Sequence, residues 1–326
     1  RHFGAEGRLD MLPDVAEVGG RTVLAWLSTG DSITSVASAD LWLAVCDGGA
    51  WTAGLAWEDL GQADSLSLAD RGGRAAVCYA RRVGEDQLPP AREEDASAAY
   101  DSELFQLKFA VEADGASPVE GPVRLTENRV PDSSPAYSGG ALFWLSGGVL
   151  QSDLFEPIPL PDCGGDYQLV SSPAHPQLYA LVWAVPGRSA GTDGGPETVF
   201  YAVINEGAGW GQPVRVTAAG QVSGWSCQLN EEGDLLLAVN EQTVDAGYET
   251  VRADLRLYTV SRTGQLVLTG MDYESHTLIP GGQLKVYATV ENQGLTASDC
   301  RFRCAFDVGA FQTCADEATL LPGECR

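Results

Sequence analysis

The segment Pro122-Val123-Arg124-Leu125-Thr126 recurs almost unchanged as Pro213-Val214-Arg215-Val216-Thr217. A second pair accompanies it. Val199-Phe200-Tyr201-Ala202-Val203-Ile204-Asn205-Glu206-Gly207, ending at Trp210, is echoed by Leu41-Trp42-Leu43-Ala44-Val45-Cys46-Asp47-Gly48-Gly49, ending at Trp51. Self-similarity built from short β-type runs marks a blade-by-blade architecture. β-Branched and aromatic residues crowd these runs, and apolar positions alternate with polar ones. No long helical period interrupts them.

Working outward, four strands can be laid out per unit. Unit one takes 14–16, 22–27, 41–46 and 51–57; unit two takes 64–68, 75–80, 104–111 and 122–126. Unit three takes 132–137, 141–145, 149–155 and 157–160; unit four takes 166–170, 178–185, 198–205 and 210–217. Unit five takes 225–229, 235–240 and 255–261. Units of roughly fifty residues match propeller blades, and such units bury their faces only by stacking. The expected fold is all-β: a β-propeller over residues 1–264, with five four-stranded blades or more in a longer protein. Gly7-Arg8-Leu9-Asp10 before Pro13-Asp14 parallels Val123-Arg124-Leu125-Thr126 before Pro131-Asp132. Residues 3–10 therefore read as a fourth strand that completes unit five and closes the ring. The polar stretches 86–99 and 187–197 read as surface loops.

Composition bounds the partners. The 326 residues carry a formal net charge of −25, which repels nucleic acid and anionic membranes. Lys108 and Lys285 are the only lysines, and no run of adjacent cations exceeds Arg81-Arg82. No apolar run approaches the length of a membrane span. No leader peptide is visible and Arg1 is not an initiator Met, so the chain reads as a mature or excised piece of a longer protein. An acidic, lysine-poor composition suits an extracellular or cell-surface setting.

After Ser261 the blade pattern stops. Pro280-Gly281, Val290-Glu291-Asn292-Gln293-Gly294 and Leu321-Pro322-Gly323-Glu324 follow instead. In this arrangement residues 265–326 resemble the bacterial cell-adhesion-related domain CARDB, which implies an immunoglobulin-like sandwich. Such a sandwich needs about 100 residues, so the module is expected to be truncated. Cys300, Cys304, Cys314 and Cys325 crowd this segment. Two cysteines four apart on one strand lie roughly 13 Å from each other, too far to bond. Cys304 and Cys314 can face each other across a hairpin turning at Val308-Gly309-Ala310, and a disulfide between them is expected. Cys46 and Cys78 lie within apolar strands and read as buried small hydrophobes.

The sharpest positional coincidence is acidic. Asp14, Asp64, Asp132 and Asp166 all begin inner strands, the strands that line a propeller's channel. Such carboxylates can bind Ca²⁺ or serve as acid and nucleophile on a glycoside. They can equally accept backbone N–H bonds at blade boundaries, and a feature repeated in four blades favours that structural role. Asp132-Ser133-Ser134-Pro135-Ala136-Tyr137-Ser138-Gly139-Gly140 also resembles a TolB-type propeller repeat, in which the Asp and Pro are scaffold residues. Asn205-Glu206-Gly207-Ala208-Gly209-Trp210 approximates the bacterial-sialidase Asp box but lacks its Ser/Thr and Asp. No arginine triad suited to a sialic carboxylate is visible. The second strands end in Trp26, Tyr79, Trp144 and Trp183, a phase that reads as packing between blades. Trp210 and Trp225 break this phase and are the candidates for stacking on a sugar ring. His2, His175 and His276 show no metal-ligand spacing.

These readings favour a non-catalytic binding, adhesion or display module of a larger bacterial surface protein, with a glycan or an extracellular protein as partner. Its neighbours would include other domains of the same chain. No metal or cofactor is called for, although Ca²⁺ is compatible with the acidic surface. The alternatives are a glycoside hydrolase using Asp14, Asp64, Asp132 or Asp166, and a structural spacer.

Overall fold

The alternating runs form antiparallel strands in a computed structural model that describes residues 8–30, 38–84, 101–160, 163, 166–172, 174–186, 198–244, 250–273, 286–301, 304–305, 311–312 and 317–325. Among these residues there is no helix, hence none long and apolar enough to cross a membrane. The chain divides into two compact units, Arg1–Gly165 and Asp166–Arg326.

The first unit contains three four-stranded sheets. They are β1 (Leu9–Val18), β2 (Arg21–Thr29), β3 (Asp40–Asp47) and β4 (Ala50–Trp57); β5 (Ala63–Asp70), β6 (Ala75–Val83), β7 (Asp101–Glu112) and β8 (Gly115–Arg124); and β9 (Asp132–Ser138), β10 (Ala141–Ser146), β11 (Val149–Ser152) and β12 (Ile158–Pro159). The second unit contains a four-stranded sheet, β13 (Tyr167–Ser171), β14 (Tyr179–Pro186), β15 (Thr198–Asn205) and β16 (Val214–Ala219). Beside it stands a sheet with three strands among the described residues, β17 (Gln221–Leu229), β18 (Leu235–Val244) and β19 (Thr250–Val260). Each of these five sheets is an antiparallel meander in chain order. First strands of successive sheets lie side by side: β1 against β5, β5 against β9, and β13 against β17. The protein is an all-β propeller of four-stranded blades. Tight hairpins make the meanders. At Asp47-Gly48-Gly49-Ala50 both glycines have positive φ, 55° and 86°, as a two-residue hairpin turn of this hand requires.

One strand departs from the sequence reading. Leu9 and Asp10 do not belong to a fourth strand of unit five; they pair with Thr29 and Ser28 on β2 as the start of β1. A bulge between Met11 and Asp14, with Leu12 at φ 54°, lets the strand continue past Pro13, which has no N–H to give. Residues 3–7 of that reading lie outside the described residues, as do all of 86–99 and all of 187–197.

A first strand has one edge paired within its blade and one edge facing the next blade. Unpaired N–H groups on such an edge need acceptors. Side chains of the preceding blade supply them. Asp14 Oδ2 on β1 accepts the Leu68 N–H of β5 at 2.7 Å. Ser67 Oγ on β5 accepts the Tyr137 N–H of β9 at 3.0 Å, and its hydroxyl reaches Asp14 Oδ2 at 3.3 Å. In the second unit Gln168 Oε1 on β13 accepts the Cys227 N–H of β17 at 3.0 Å, while its Nε2 donates to the Trp225 carbonyl at 2.9 Å.

Aromatic pairs fill the blades. Trp26 faces Trp42, Tyr79 faces Phe105 and Trp183 faces Tyr201 across the second and third strands, stacked with centroids 6.1, 5.8 and 5.5 Å apart. Trp26, Tyr79 and Trp183 are buried and Trp144 is half-buried against Cys78, Ala80 and Leu142. Cys78 is buried, as expected of a small hydrophobe, whereas Cys46 is half-buried at the end of its strand.

The boundary expected at residue 264 falls inside the second unit, between β19 and β20 (Leu266–Tyr273). β20 pairs with β21 (Val286–Asn292), β22 (Ser298–Arg301) pairs with β25 (Glu317–Leu320), and between the latter β23 (Cys304–Ala305) pairs with β24 (Phe311–Gln312). Cys304 lies opposite Gln312 in that last ladder; Cys314 and Pro280-Gly281 lie outside the described residues. Asn292 organises the segment. Its fully buried amide accepts from Gln265 N and Gly294 N and donates to the Thr296 and Leu320 carbonyls. Leu295 beside it is buried in the core that β14, β15 and β18 share. A side chain at Gly294 would collide with the backbone of Thr263, Gly264 and Gln265.

Two outcomes follow for unfolding in urea. Asp14→Ala strips Leu68 N–H of its acceptor and is expected to cost about 1–2 kcal/mol. Gly294→Ala, which meets backbone rather than a yielding side chain, is expected to cost more, about 2–3 kcal/mol. Midpoints equal to wild type would contradict these roles.

Candidate functional site

Two of the residues singled out by sequence, Asp166 and Trp225, stand together in one cleft of the second unit, with a volume of about 500 Å³. The cleft is lined by the starts of β13, β15 and β17 and the end of β14. A bulge between Val222 and Gly224 shifts the register of β17 against β18 just before Trp225. The indole is then clamped on two sides. Its N–H donates to Asp166 Oδ2 at 2.8 Å, and its ring meets Phe200 edge-on, centroids 5.4 Å apart at 73°. Phe200 is fully buried, Trp225 half-buried and Asp166 exposed. Gln168, which ties β13 to β17, forms part of the same wall, and Thr198, Gln221 and Ser223 supply hydroxyl and amide groups at the rim.

Chemically this is a fixed aromatic surface beside one carboxylate and several neutral polar groups. Asp166 is the only ionisable side chain among the described residues lining the cleft. A retaining or inverting glycosidase needs two carboxyl groups roughly 5–10 Å apart.

The other sequence candidates lie elsewhere. Trp210 bridges to Asn205 at the far end of β15 from Thr198. Asp14 commits Oδ2 to Leu68 and Ser67 and Oδ1 to the Val15 N–H at 2.8 Å. Asp64 is exposed and accepts the Ser65 hydroxyl at 3.1 Å. Asp132 is fully buried at the start of β9 and accepts from Asn128 Nδ2 at 2.8 Å. Burial pushes its carboxyl above the usual carboxylate range; hydrogen bonds from Ser146, Thr126 and Asn128 oppose the push, and the Glu103 carboxylate adds to it. Glu103, also fully buried, is held by Arg124 at 2.9 Å, by the Thr126 hydroxyl at 2.5 Å and by Asn128 N–H at 2.9 Å. Among the described residues no group of three His, Cys, Asp or Glu could hold a metal ion. His175 meets the Glu231 carbonyl at 3.1 Å. The residue sequence reasoning missed is Gln168; the signal was an amide inside the apolar run Tyr167-Gln168-Leu169-Val170.

Fold and cleft together define an all-β propeller protein with an aromatic cleft at the start of its inner strands. No protein-family model matches the chain, and no curated protein does. Among solved structures the chain is similar to a B. megaterium levansucrase mutant, at 8% identity and TM-score 0.47, covering 77% of this chain and 81% of that one. It is also similar to Trypanosoma rangeli sialidase, at 9% identity and TM-score 0.42, covering 88% of this chain and 53% of that one. The chain thus spans about half the length of the sialidase.

The Asp132 environment has a measurable consequence. A carboxyl whose folded pKa is raised favours folding when protonated, and that contribution is lost as pH rises from the ordinary value of 3.8 through the folded one. Asp132→Asn keeps the oxygen that accepts from Asn128 and removes the buried charge. The variant is expected to be more stable than wild type at pH 7, with the gap closing toward pH 4. Thermal melts at the two pH values check this; a variant less stable at pH 7 would contradict it.

Proposed function

We propose that the protein is a non-catalytic binding module of a bacterial cell surface or secreted assembly, and that the Trp225 cleft takes a glycan. The observation that carries this reading is the indole of Trp225, fixed by Phe200 and Asp166 and open to a cleft lined by amides and hydroxyls. A sugar ring presents an apolar face that stacks on an aromatic and hydroxyls that pair with carboxylate and amide groups. The side chain does not need to be ordered on binding, because it is already held, and pre-ordering strengthens affinity. One ionisable group in the cleft supports binding over two-carboxylate hydrolysis. Trp210, at the other end of β15, is kept as a second stacking candidate. Residues 265–326 are read as an adhesion-type module that spaces the blades from further domains, on the turns at Val290–Gly294 and Leu321–Glu324. Within it the Cys304–Cys314 disulfide remains our proposal.

A glycan array with the purified protein tests the reading. Saturable binding to one glycan class is expected, weakened at least about tenfold in Trp225→Ala, as loss of a stacked aromatic implies. Binding lost in Trp210→Ala but kept in Trp225→Ala would move the site to the far end of β15. A blank array would move the role to protein binding or spacing. Release of reducing sugar from the bound glycan, abolished in Asp166→Asn, would replace binding by hydrolysis.

A further inference from the structure

We propose a second ligand site, in the first unit, that takes the sulfate group of a sulfated polysaccharide. It is a cleft of about 650 Å³ where the β5–β6 hairpin meets β7 and the β9–β10 turn, and it gathers Arg71, Arg74 and Lys108. Those are three cations in one depression of a chain with 20 Lys and Arg against 45 Asp and Glu. Among the described residues Asp70 is the only acid lining it.

The fold forces these charges together. Gly72 and Gly73 both adopt positive φ, 69° and 76°, and the hairpin closes with the Arg71 N–H on the Arg74 carbonyl at 2.9 Å. Arg71 and Arg74 therefore flank a two-residue turn as cross-strand neighbours. Like charges so placed repel. Lys108, on β7 opposite Ala76 of β6, adds a third.

The acids nearby are each already engaged. Asp70 has both oxygens committed to backbone, Oδ1 to the Gly73 N–H at 2.7 Å and Oδ2 to the Gly19 N–H at 3.0 Å. Arg71 is fixed rather than free. It bonds to the Gly140 carbonyl and to Asp153 at 3.0 Å, and lies over the Tyr137 ring 5.7 Å from its centroid. Asp153 is itself tied to the Leu142 N–H at 2.8 Å. Lys108 pairs with exposed Glu120 at 2.8 Å, a surface ion pair of little strength that an incoming anion can replace. The exposed Arg74 guanidinium has no ion-pair partner among the described residues.

Guanidinium groups present paired N–H donors that match the oxygens of a sulfate ester. The cleft is larger than one sulfate ion, and it carries an acceptor for a sugar hydroxyl. Gln106 donates its Nε2 to the Tyr137 hydroxyl at 2.6 Å, which leaves its amide oxygen to accept. Cations beside an amide acceptor suit a sugar that bears an anionic ester. The site is independent of the Trp225 cleft and stands or falls separately.

Titration calorimetry at low ionic strength tests it, with three probes on the full chain: a sulfated hexasaccharide, the same hexasaccharide desulfated, and inorganic sulfate. Wild type is expected to bind the sulfated sugar at least about tenfold more tightly than either other probe, and more weakly as salt is added. Arg74→Glu and, separately, Lys108→Gln are each expected to weaken that binding about tenfold or more, with unchanged thermal melts because both side chains reach solvent. Trp225→Ala is expected to leave it unchanged. Equal binding of the desulfated sugar, or undiminished binding by both charge variants, would overturn the site. Inorganic sulfate binding as tightly as the hexasaccharide would overturn the polysaccharide and leave a simple ion site.

Discussion

The hydrogen bonds between first strands carry the architecture. A propeller blade cannot extend its sheet into the next blade without ceasing to be a blade, yet its first strand still presents backbone N–H groups on that side. Asp14, Ser67 and Gln168 resolve the conflict: each caps an N–H of the neighbouring first strand with a side-chain oxygen. A side-chain bridge holds two strands near each other without imposing a ladder's register. The blades keep their own twist and stay adjacent. The same role is taken by a carboxylate, a hydroxyl and an amide in turn, so the requirement is for an acceptor and not for a charge.

That constraint sorts the acidic residues. Asp14 directs Oδ2 to Leu68 and Ser67 and Oδ1 to Val15, so both of its oxygens are already engaged in the fold. In the second unit the bridging role has passed to Gln168, two residues further along than Asp166. Asp166 is thereby released to face solvent and hold the Trp225 indole. The contrast with Asp132 is one of depth. Its carboxyl starts β9 in the same sequence position but is fully buried beside Glu103, where it serves the Asn128 turn.

Much of the fold was legible because each blade repeats one local grammar. The run Val199–Asn205 is rich in β-branched and aromatic residues, and β15 spans 198–205. The phase of Trp26, Tyr79 and Trp183 foretold burial, and each stacks on an aromatic directly opposite. What escaped was set by geometry that a linear pattern does not carry. Leu9-Asp10 resembled a fourth strand because a bulge at Leu12 disguised the continuity of β1. Of the cleft, the aromatic and the acid were visible as departures from the repeat, while Gln168 was not, since one polar residue in a strand carries no mark of its partner. The cluster of Arg71, Arg74 and Lys108 was wholly hidden, because no adjacent pair of these cations exists in the chain.

Charge placement gives that cluster its meaning. In so acidic a chain most structured cations serve as fasteners. Arg8 ties Asp40, Arg21 ties Asp47, Arg124 ties buried Glu103, and Arg256 ties Glu241. Each of these is one cation with one acid, and the last three join adjacent strands, an arrangement that supports register. The β5–β6 hairpin breaks the rule by setting two arginines face to face across a turn that only left-handed residues can make. Arg71 takes its acid from Asp153, while Asp70 points its oxygens at backbone and leaves Arg74 without a carboxylate among the described residues. Arg71 and Lys108 have partners in Asp153 and Glu120, while Arg74 stands beside them exposed and without an acid among the described residues, and that unpaired guanidinium is where an anion from solution can add.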